Sequence, residues 1–378
     1  MILQQRRTPA AAASGIRGLL VRSLIGDEGP GLDPSVSWDD LHRAADYHRI
    51  SPAVYLYLRA RTDDPGLIGP LQHSYQQQMA RHLQTVADLK ILAQALDGAG
   101  ISWVLVKGPS LSAIWPRPDM REYHDLDLLV DRHRFLDALS TLQAAGAVLV
   151  DRNPPMILRQ LRAELRLHLR HGTTLDLHWD LVNDVTLRKE FRFPTDAMIE
   201  RASSAAIGGI AVPVLDPVDT LLHLGYHTTL SGAHRLIWFM DIRSASSHDP
   251  DWARIASRAR AYGVELPLSL AFDRAARILG GTYPRHVWNR FRAWRFLAKT
   301  ADRLQPVPWI PGTTGSSRAL YQNVRSTTSA SLLPAIRDAL RPSSTARDDT
   351  WRNPLHQDLA DPAAWKQYLS LVEGRPKP

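Results

Sequence analysis

Six residues, Asp125-Leu126-Asp127-Leu128-Leu129-Val130, restrict this chain more than any other stretch. Short, mostly apolar and with acids two places apart at Asp125 and Asp127, they read as a β-strand. Alternate residues of a strand share a face. Asp125 and Asp127 therefore point one way, while Leu126, Leu128 and Val130 enter a core. Two close carboxylates repel and resist joint ionisation; a hard cation such as Mg²⁺ held between them removes that penalty. Just upstream, Ile101 to Val106 reads as a buried strand. Lys107-Gly108-Pro109-Ser110 reads as a glycine turn entering a helix, where backbone N–H groups can hold phosphate. Acid pair and turn together point to a site for a metal-bound nucleoside triphosphate.

A hairpin supplies a third carboxylate. Leu165, Leu167 and Leu169 alternate with Arg166, His168 and Arg170, and after His171-Gly172-Thr173 the alternation resumes at Leu175, Leu177 and Trp179. Keeping both leucine sets on one face needs an odd loop, most simply those three residues, with glycine free to take positive φ. That register sets Leu169 opposite Leu175 and His168 opposite Asp176. Asp176 then lies on a polar face of the kind that carries Asp125 and Asp127, with His168 or Arg166 as its cross-strand partner in the alternative reading.

The rest of the chain is mostly helical. Helices are expected over about 36–60 and from Leu71 to Leu96, the latter with Leu83, Val86, Leu89, Ile91 and Leu92 as its apolar stripe. Asp131 is placed to cap a helix that buries Phe135, Leu136, Leu139 and Leu142. Ala147 to Val150 is a further strand. From Asp196 onward helices dominate, one beginning at Asp216-Pro217 and carrying His223 and His227, others at Trp238–Ile242 and 251–262. Helical patches are expected at 332–340 and 363–372. The organisation expected is a tail and short helix at 1–35, with Met1 to Gly15 as a mobile tail. A helical region at 36–98, an α/β core at 99–185, a helical region at 186–305 and a Pro/Ser-rich extension at 306–378 follow.

Composition sets outer limits. There is no cysteine among the 378 residues, which excludes disulfides, thiolate metal sites and a cysteine nucleophile. That fits a cytoplasmic location. No apolar run approaches the ~20 residues needed to span a bilayer, so no membrane partner is expected. The net charge of +8 suits an acidic ligand such as a nucleotide and permits RNA binding. The arginines are scattered, as arginine-rich codon usage alone would also produce.

The ordered set Lys107-Gly108, Arg121, Asp125-Leu126-Asp127-Leu128-Leu129-Val130, Leu175-Asp176-Leu177-His178-Trp179, Pro217-Val218-Asp219-Thr220-Leu221-Leu222-His223, His227, Asp241-Ile242 and Asp251-Trp252 resembles the uncharacterised bacterial nucleotidyltransferases of the DNA polymerase β superfamily. The resemblance implies an α+β fold, a small mixed β-sheet core embedded in N- and C-terminal helical regions. It implies that Asp125, Asp127 and Asp176 bind metal, two Mg²⁺ ions in all, and carry the catalysis. Lys107, Gly108, Ser110 and Arg121 are then the residues expected around the triphosphate. Relatives commonly have Ser or Thr before the first acid, where His124 stands here, and a Gly-Ser turn in place of Lys107-Gly108-Pro109.

The activity implied is transfer of a nucleoside monophosphate from an NTP to an unidentified acceptor: a small molecule, a protein or peptide, or an RNA. A toxin-like transferase acting on tRNA and a weakly catalytic NTP-binding or scaffold module are the alternatives. His223 and His227 have zinc-ligand spacing but read as buried histidines, and no HExxH motif supports a metalloprotease. Arg121 could instead pair with the acids, and Asp241 could face the site from the C-terminal helices. His178 and Trp179 read as structural, and Trp103, Trp115, Trp238 and Trp252 as core anchors.

Overall fold

In the computed structural model the described residues are 9–29, 36–281, 299–312, 319–322, 324 and 354–374. They form an α+β fold. Helices α1 (Pro9–Ile25), α2 (Trp38–Tyr47), α3 (Ser51–Leu58) and α4 (Pro65–Gly98) lead into strand β1 (Trp103–Leu105). The central stretch holds α5 (Pro109–Ser112), β2 (Asp125–Val130), α6 (Phe135–Ala144), β3 (Val148–Leu149), α7 (Pro154–Gln160), β4 (Glu164–His168) and β5 (Thr174–His178). Then come α8 (Thr195–Glu200), β6 (Ser203–Ile207), β7 (Ile210–Val214), α9 (Pro217–Leu230), α10 (Leu236–Ser246), α11 (Trp252–Tyr262) and α12 (Glu265–Leu279). A C-terminal helix, α13 (Pro362–Glu373), follows; the expected helix at 332–340 lies outside the described residues. No described helix is long and apolar enough to cross a membrane.

Seven strands make one mixed sheet, ordered β3-β4-β5-β2-β1-β7-β6. Two of them, β6 and β7, fall where helix was expected. Their connection is Gly208-Gly209, both at positive φ (57° and 81°), a two-residue turn that matches the twist of paired strands. The N-terminal segment also differs from expectation. It is helical from Pro9, and Ile16, Leu19, Leu20 and Leu24 are buried, so apolar burial overrides its tail-like composition.

The sheet separates two cores. On one face Leu126, Leu128 and Val130 of β2 join Leu165, Leu167, Leu175 and Leu177 of the β4–β5 hairpin. They pack with Leu89, Leu92 and Leu96 of α4, Phe135 and Leu139 of α6, and Tyr368 and Leu369 of α13. Val104, Val106 and Leu129 belong to the other core, built largely from α1 to α3 and α9 to α12. Leu83, expected in the α4 stripe, is 70% exposed. The buried stripe of α4 runs instead through Thr85, Asp88, Leu89, Leu92 and Leu96.

Asp88 explains a shift in the hairpin. Its carboxylate accepts from the backbone N–H groups of His171 (2.8 Å) and Thr173 (3.1 Å), clamping the loop onto α4. Leu167 consequently faces Leu175, and Arg166 faces Asp176. The loop is three residues, as parity requires, but they are Arg170-His171-Gly172, closed by Leu169 N–H donating to Thr173 O at 2.8 Å. Gly172 takes the positive-φ place (92°) at the end of the loop. The expected pairs Leu169–Leu175 and His168–Asp176 are thus displaced, while every leucine keeps its face.

Candidate active site

Parallel pairing of β2 with β5 puts Asp127 directly opposite Asp176, so their Cα atoms are one interstrand spacing apart, about 4.8 Å. Asp125 lies two residues from Asp127 on the same face. The face also carries His178 from β5 and, across the hairpin, Glu164 and Arg166 from β4. The three acids named from the sequence are therefore side by side. They line a cavity of about 340 Å³, with Lys107, Glu164 and His178 around them and α9 as the facing wall.

The Lys107-Gly108-Pro109 turn joins β1 to this face. Gly108 has φ 74°, and a Cβ placed there would lie 3.0 Å from the carbonyl oxygen of Asp125. Glycine is required both for the left-handed backbone and for the close approach. Ser110 Oγ donates to Lys107 O at 3.2 Å, bracing the turn. α5 is a single turn of four residues, too short to build the field expected of a phosphate-binding helix terminus.

Arg121 is placed differently from the expectation that it reaches the triphosphate. Its buried guanidinium donates to both oxygens of Asp241 (2.7 and 2.9 Å) and to Gly108 O (3.0 Å). Trp115 Nε1 donates to the same Asp241 at 2.7 Å. Asp241 is 1% exposed and does not face the cavity. The pair forms a strut that ties α10 to the glycine turn.

Charge within the site is unevenly matched. Lys107 Nζ lies 2.9 Å from Asp127 Oδ1, and His178 Nε2 lies 3.3 Å from the same oxygen. Burial opposes ionisation of Asp127, yet these two partners outweigh it and hold its pKa well below the usual carboxylate range. Burial also opposes charge on Lys107, but Asp127 and Asp125 raise it above its ordinary value. Arg166 donates to Asp176 at 2.9 and 3.3 Å from the half-exposed rim. The Asp125 carboxylate hydrogen-bonds to no described residue, and burial, followed by repulsion from Asp127, raises its pKa. Among the described residues one carboxylate of the three thus lacks a hydrogen-bonding counter-ion.

His178, expected to be structural, and Glu164 share the face of the acids, and the parity of their strands is the signal for both. His178 belongs to the site: burial lowers its proton affinity, but Asp127 and Glu164 raise it more. Glu164 is oriented by Arg162 (2.7 Å) and Asn183 (2.8 Å). His223, Tyr226 and His227 of α9 also line the cavity. Their helix was anticipated, but the surface it covers depends on a packing no local pattern encodes. His124 pairs with Glu122 at 2.6 Å and stands away from the cavity lining. Trp179 is structural, with Nε1 donating to Arg162 O (2.9 Å). Trp103 and Trp115 are buried, and Trp238 and Trp252 pack partly buried against the core.

The chain belongs to a family of uncharacterised nucleotidyltransferases, whose match covers residues 34–280. It is by class a transferase of nucleotidyl groups. Among curated proteins none matches the chain. Two solved structures are similar to parts of it. The antibiotic-resistance factor ANT(2'')-Ia is 15% identical, with 57% of this chain and 97% of that one covered and a TM-score of 0.30. An antigenic nucleotidyltransferase-like protein from Paracoccidioides brasiliensis is 16% identical, with 58% and 92% covered and a TM-score of 0.27.

Proposed function

We propose that the cavity binds a nucleoside triphosphate with Mg²⁺ and transfers the nucleoside monophosphate to an acceptor hydroxyl, releasing pyrophosphate. The observation that carries this reading is the set Asp125, Asp127 and Asp176 on adjacent parallel strands, facing one cavity beside the Gly108 turn. The arrangement supports assignment to the DNA polymerase β-like superfamily.

The donor type suits a hard divalent cation, because it is carboxylate oxygen and the Asp125 side chain hydrogen-bonds to no described residue. Among the described residues no group of three or more Asp, Glu, His or Cys is arranged to hold a metal ion as the side chains stand; Asp127 is turned to Lys107 and Asp176 to Arg166. Asp125, Asp127 and Asp176 are the residues that would hold Mg²⁺. Bound there, the ion supplies charge neutralisation at the phosphates and a lowered pKa for the attacking hydroxyl.

The chain's own residues account for placement. Gly108 lets the β1 turn lie against β2, and the Arg121–Asp241 strut fixes that turn. Lys107 lines the cavity beside the turn and would supply positive charge to a phosphate held there. His178 holds the Asp127 carboxylate in orientation, and Glu164 backs His178 at 3.6 Å. Positioning and electrostatic preorganisation carry the rate in such transfers.

The test is Asp127→Ala, assayed with α-labelled NTPs and Mg²⁺. Release of pyrophosphate and label transfer should fall by at least about 1,000-fold while circular dichroism stays native. Wild-type turnover in this variant would sink the reading. A second reading, an NTP-binding module without turnover, draws on the ion pairs that occupy Asp127 and Asp176. It predicts calorimetric Mg-ATP binding with no label moved by the wild-type chain under any acceptor.

A further inference from the structure

The cavity wall opposite the carboxylates is α9, which carries His223 and His227 one helical turn apart. Their ring centroids are 5.9 Å apart and the planes 32° from parallel. Phe193 packs edge-on against His223 at 6.4 Å, and Trp238 edge-on against His227 at 5.7 Å. Behind them Gly225 lets α9 press onto α12; a Cβ there would meet Leu268 Cδ1 at 2.4 Å. The histidine face of α9 is thereby fixed toward the sheet.

Neither imidazole hydrogen-bonds to a described residue, and His223 is 5% exposed. His223 is buried and His227 half-buried, and both line the cavity; a ring nitrogen that faces a cavity with no described protein partner is free to hydrogen-bond to a molecule held there. Burial, then the charge of Lys107, takes the His223 pKa down to about 3 and holds His227 well below its ordinary value. Both rings are therefore neutral at physiological pH, each with one N–H donor and one bare nitrogen acceptor. A hydroxyl both donates and accepts and so matches such a ring. A phosphate or carboxylate offers acceptors alone and would also face Asp125, Asp127, Asp176 and Glu164. Among the described lining residues Lys107 is the one Lys or Arg, whereas RNA is bound chiefly through cations on its phosphates.

We propose that His223 and His227 form the acceptor-binding wall, and that the acceptor is a small uncharged hydroxyl compound. The proposal rests on the nucleotidyl-transfer reading above. At about 340 Å³ the cavity is at the small end of ligand pockets and has to take the nucleotide as well, so the room left beside the histidines suits a compact acceptor. The acceptor oxygen forms a bond to the α-phosphorus as the bond from that phosphorus to the bridging oxygen of the β-phosphate breaks. Pyrophosphate leaves with the electron pair, and the hydroxyl proton passes to solvent water.

The full chain is incubated with Mg²⁺, each of the four α-labelled NTPs, and either the small-molecule fraction or the RNA and protein fraction of a cell extract. Label should move to a small compound whose single charge is the new phosphodiester. His223→Ala and His227→Ala should each cut that labelling by about 100-fold, while calorimetric Mg-ATP affinity stays at the wild-type value. His223→Gln and His227→Gln, which keep a neutral donor and acceptor, should recover part of the loss and guard against misfolded alanine variants. Label on RNA or protein, wild-type labelling in both alanine variants, or parallel loss of Mg-ATP affinity in folded variants would each overturn the proposal. Failure of the underlying reading looks different: Mg-ATP does not bind the wild-type chain, or Asp127→Ala transfers normally.

Discussion

Two buried acidic clusters in this molecule use similar residues to opposite ends. At the start of α9, Asp219 is fully buried and meets Arg201 Nε at 2.6 Å, Arg258 Nη1 at 3.1 Å and the Tyr262 hydroxyl at 3.2 Å. Asp216 beside it takes Arg258 at 2.6 Å and caps the helix by accepting from Asp219 N–H. Two carboxylates face two guanidiniums, and none of the four lines the cavity onto which the other acids open. Asp125, Asp127 and Asp176 instead open onto a cavity, and the Asp125 carboxylate hydrogen-bonds to no described residue. A fully paired cluster holds elements together; a partly paired one facing a cavity is equipped to bind. Acid content does not tell them apart, but partner count and access do.

The largest effects should separate the clusters cleanly. Asp219→Ala strips a buried partner from two arginines and should cost about 3–5 kcal/mol of stability, while folded enzyme keeps its transfer rate. Asp127→Ala should show the reverse, a rate loss of at least about 1,000-fold with a smaller stability change. Denaturant melts read against initial rates of pyrophosphate release check both. If Asp219→Ala lowered the rate of folded molecules as deeply as Asp127→Ala, the division would collapse.

The glycine turn tests how closely the binding cluster depends on backbone placement. Gly108→Ala puts a side chain at φ 74°, 3.0 Å from Asp125 O. Left-handed strain of about 1–2 kcal/mol follows, and the turn must move away from β2. Transfer should fall by roughly 100-fold, mostly through a raised KM for the NTP. Arg121→Lys is a milder probe of the same turn. One ammonium cannot hold both oxygens of Asp241 and the Gly108 carbonyl, so the same KM should rise by a smaller factor. An unchanged KM in both variants would detach the turn from nucleotide binding.

How far the sequence could be read depended on the range of the interaction. The face of every leucine in β4 and β5 followed from a period of two, because the pairing shifted by two residues and an even shift keeps parity. The shift itself came from Asp88, more than eighty residues before the loop it clamps, and no local pattern reveals it. The β6–β7 hairpin does leave a local signal in Gly208-Gly209, set beside helix-forming alanines that point the other way. Arg121 could be expected near the acids, but its bidentate partner lies 120 residues later on α10. His223 and His227 were visible as a helical pair; that they face Asp127 across a cavity is a fact of helix-on-sheet packing.

Histidines divide along the same line as the acids, which gives the smallest and most quantitative test. His178, beside Asp127 and Glu164, is raised despite burial. His48 is fully buried, accepts from Leu236 N–H at 3.3 Å, and is taken from 6.5 to about 3 by burial and then by the charge of Arg235. His223 falls to about 3 as well, and His227 lies well below its ordinary value. Folded, His48 and His223 stay neutral as pH falls from 6.5 toward 3, and His227 stays neutral well below its ordinary range; unfolded, all three take up protons near 6.5. The unfolded state therefore binds more protons across that window, and stability, fully present above 6.5, is lost as pH falls. Each ring contributes a slope of about 1.4 kcal/mol per pH unit. Denaturant melts from about pH 7 to about pH 5 should show the decline, and His48→Gln should remove one ring's share of the slope whatever it does to absolute stability. A melting free energy that stays flat across that range would mean the buried histidines find proton-accepting partners when the folded chain is acidified, and the contrast with His178 would vanish.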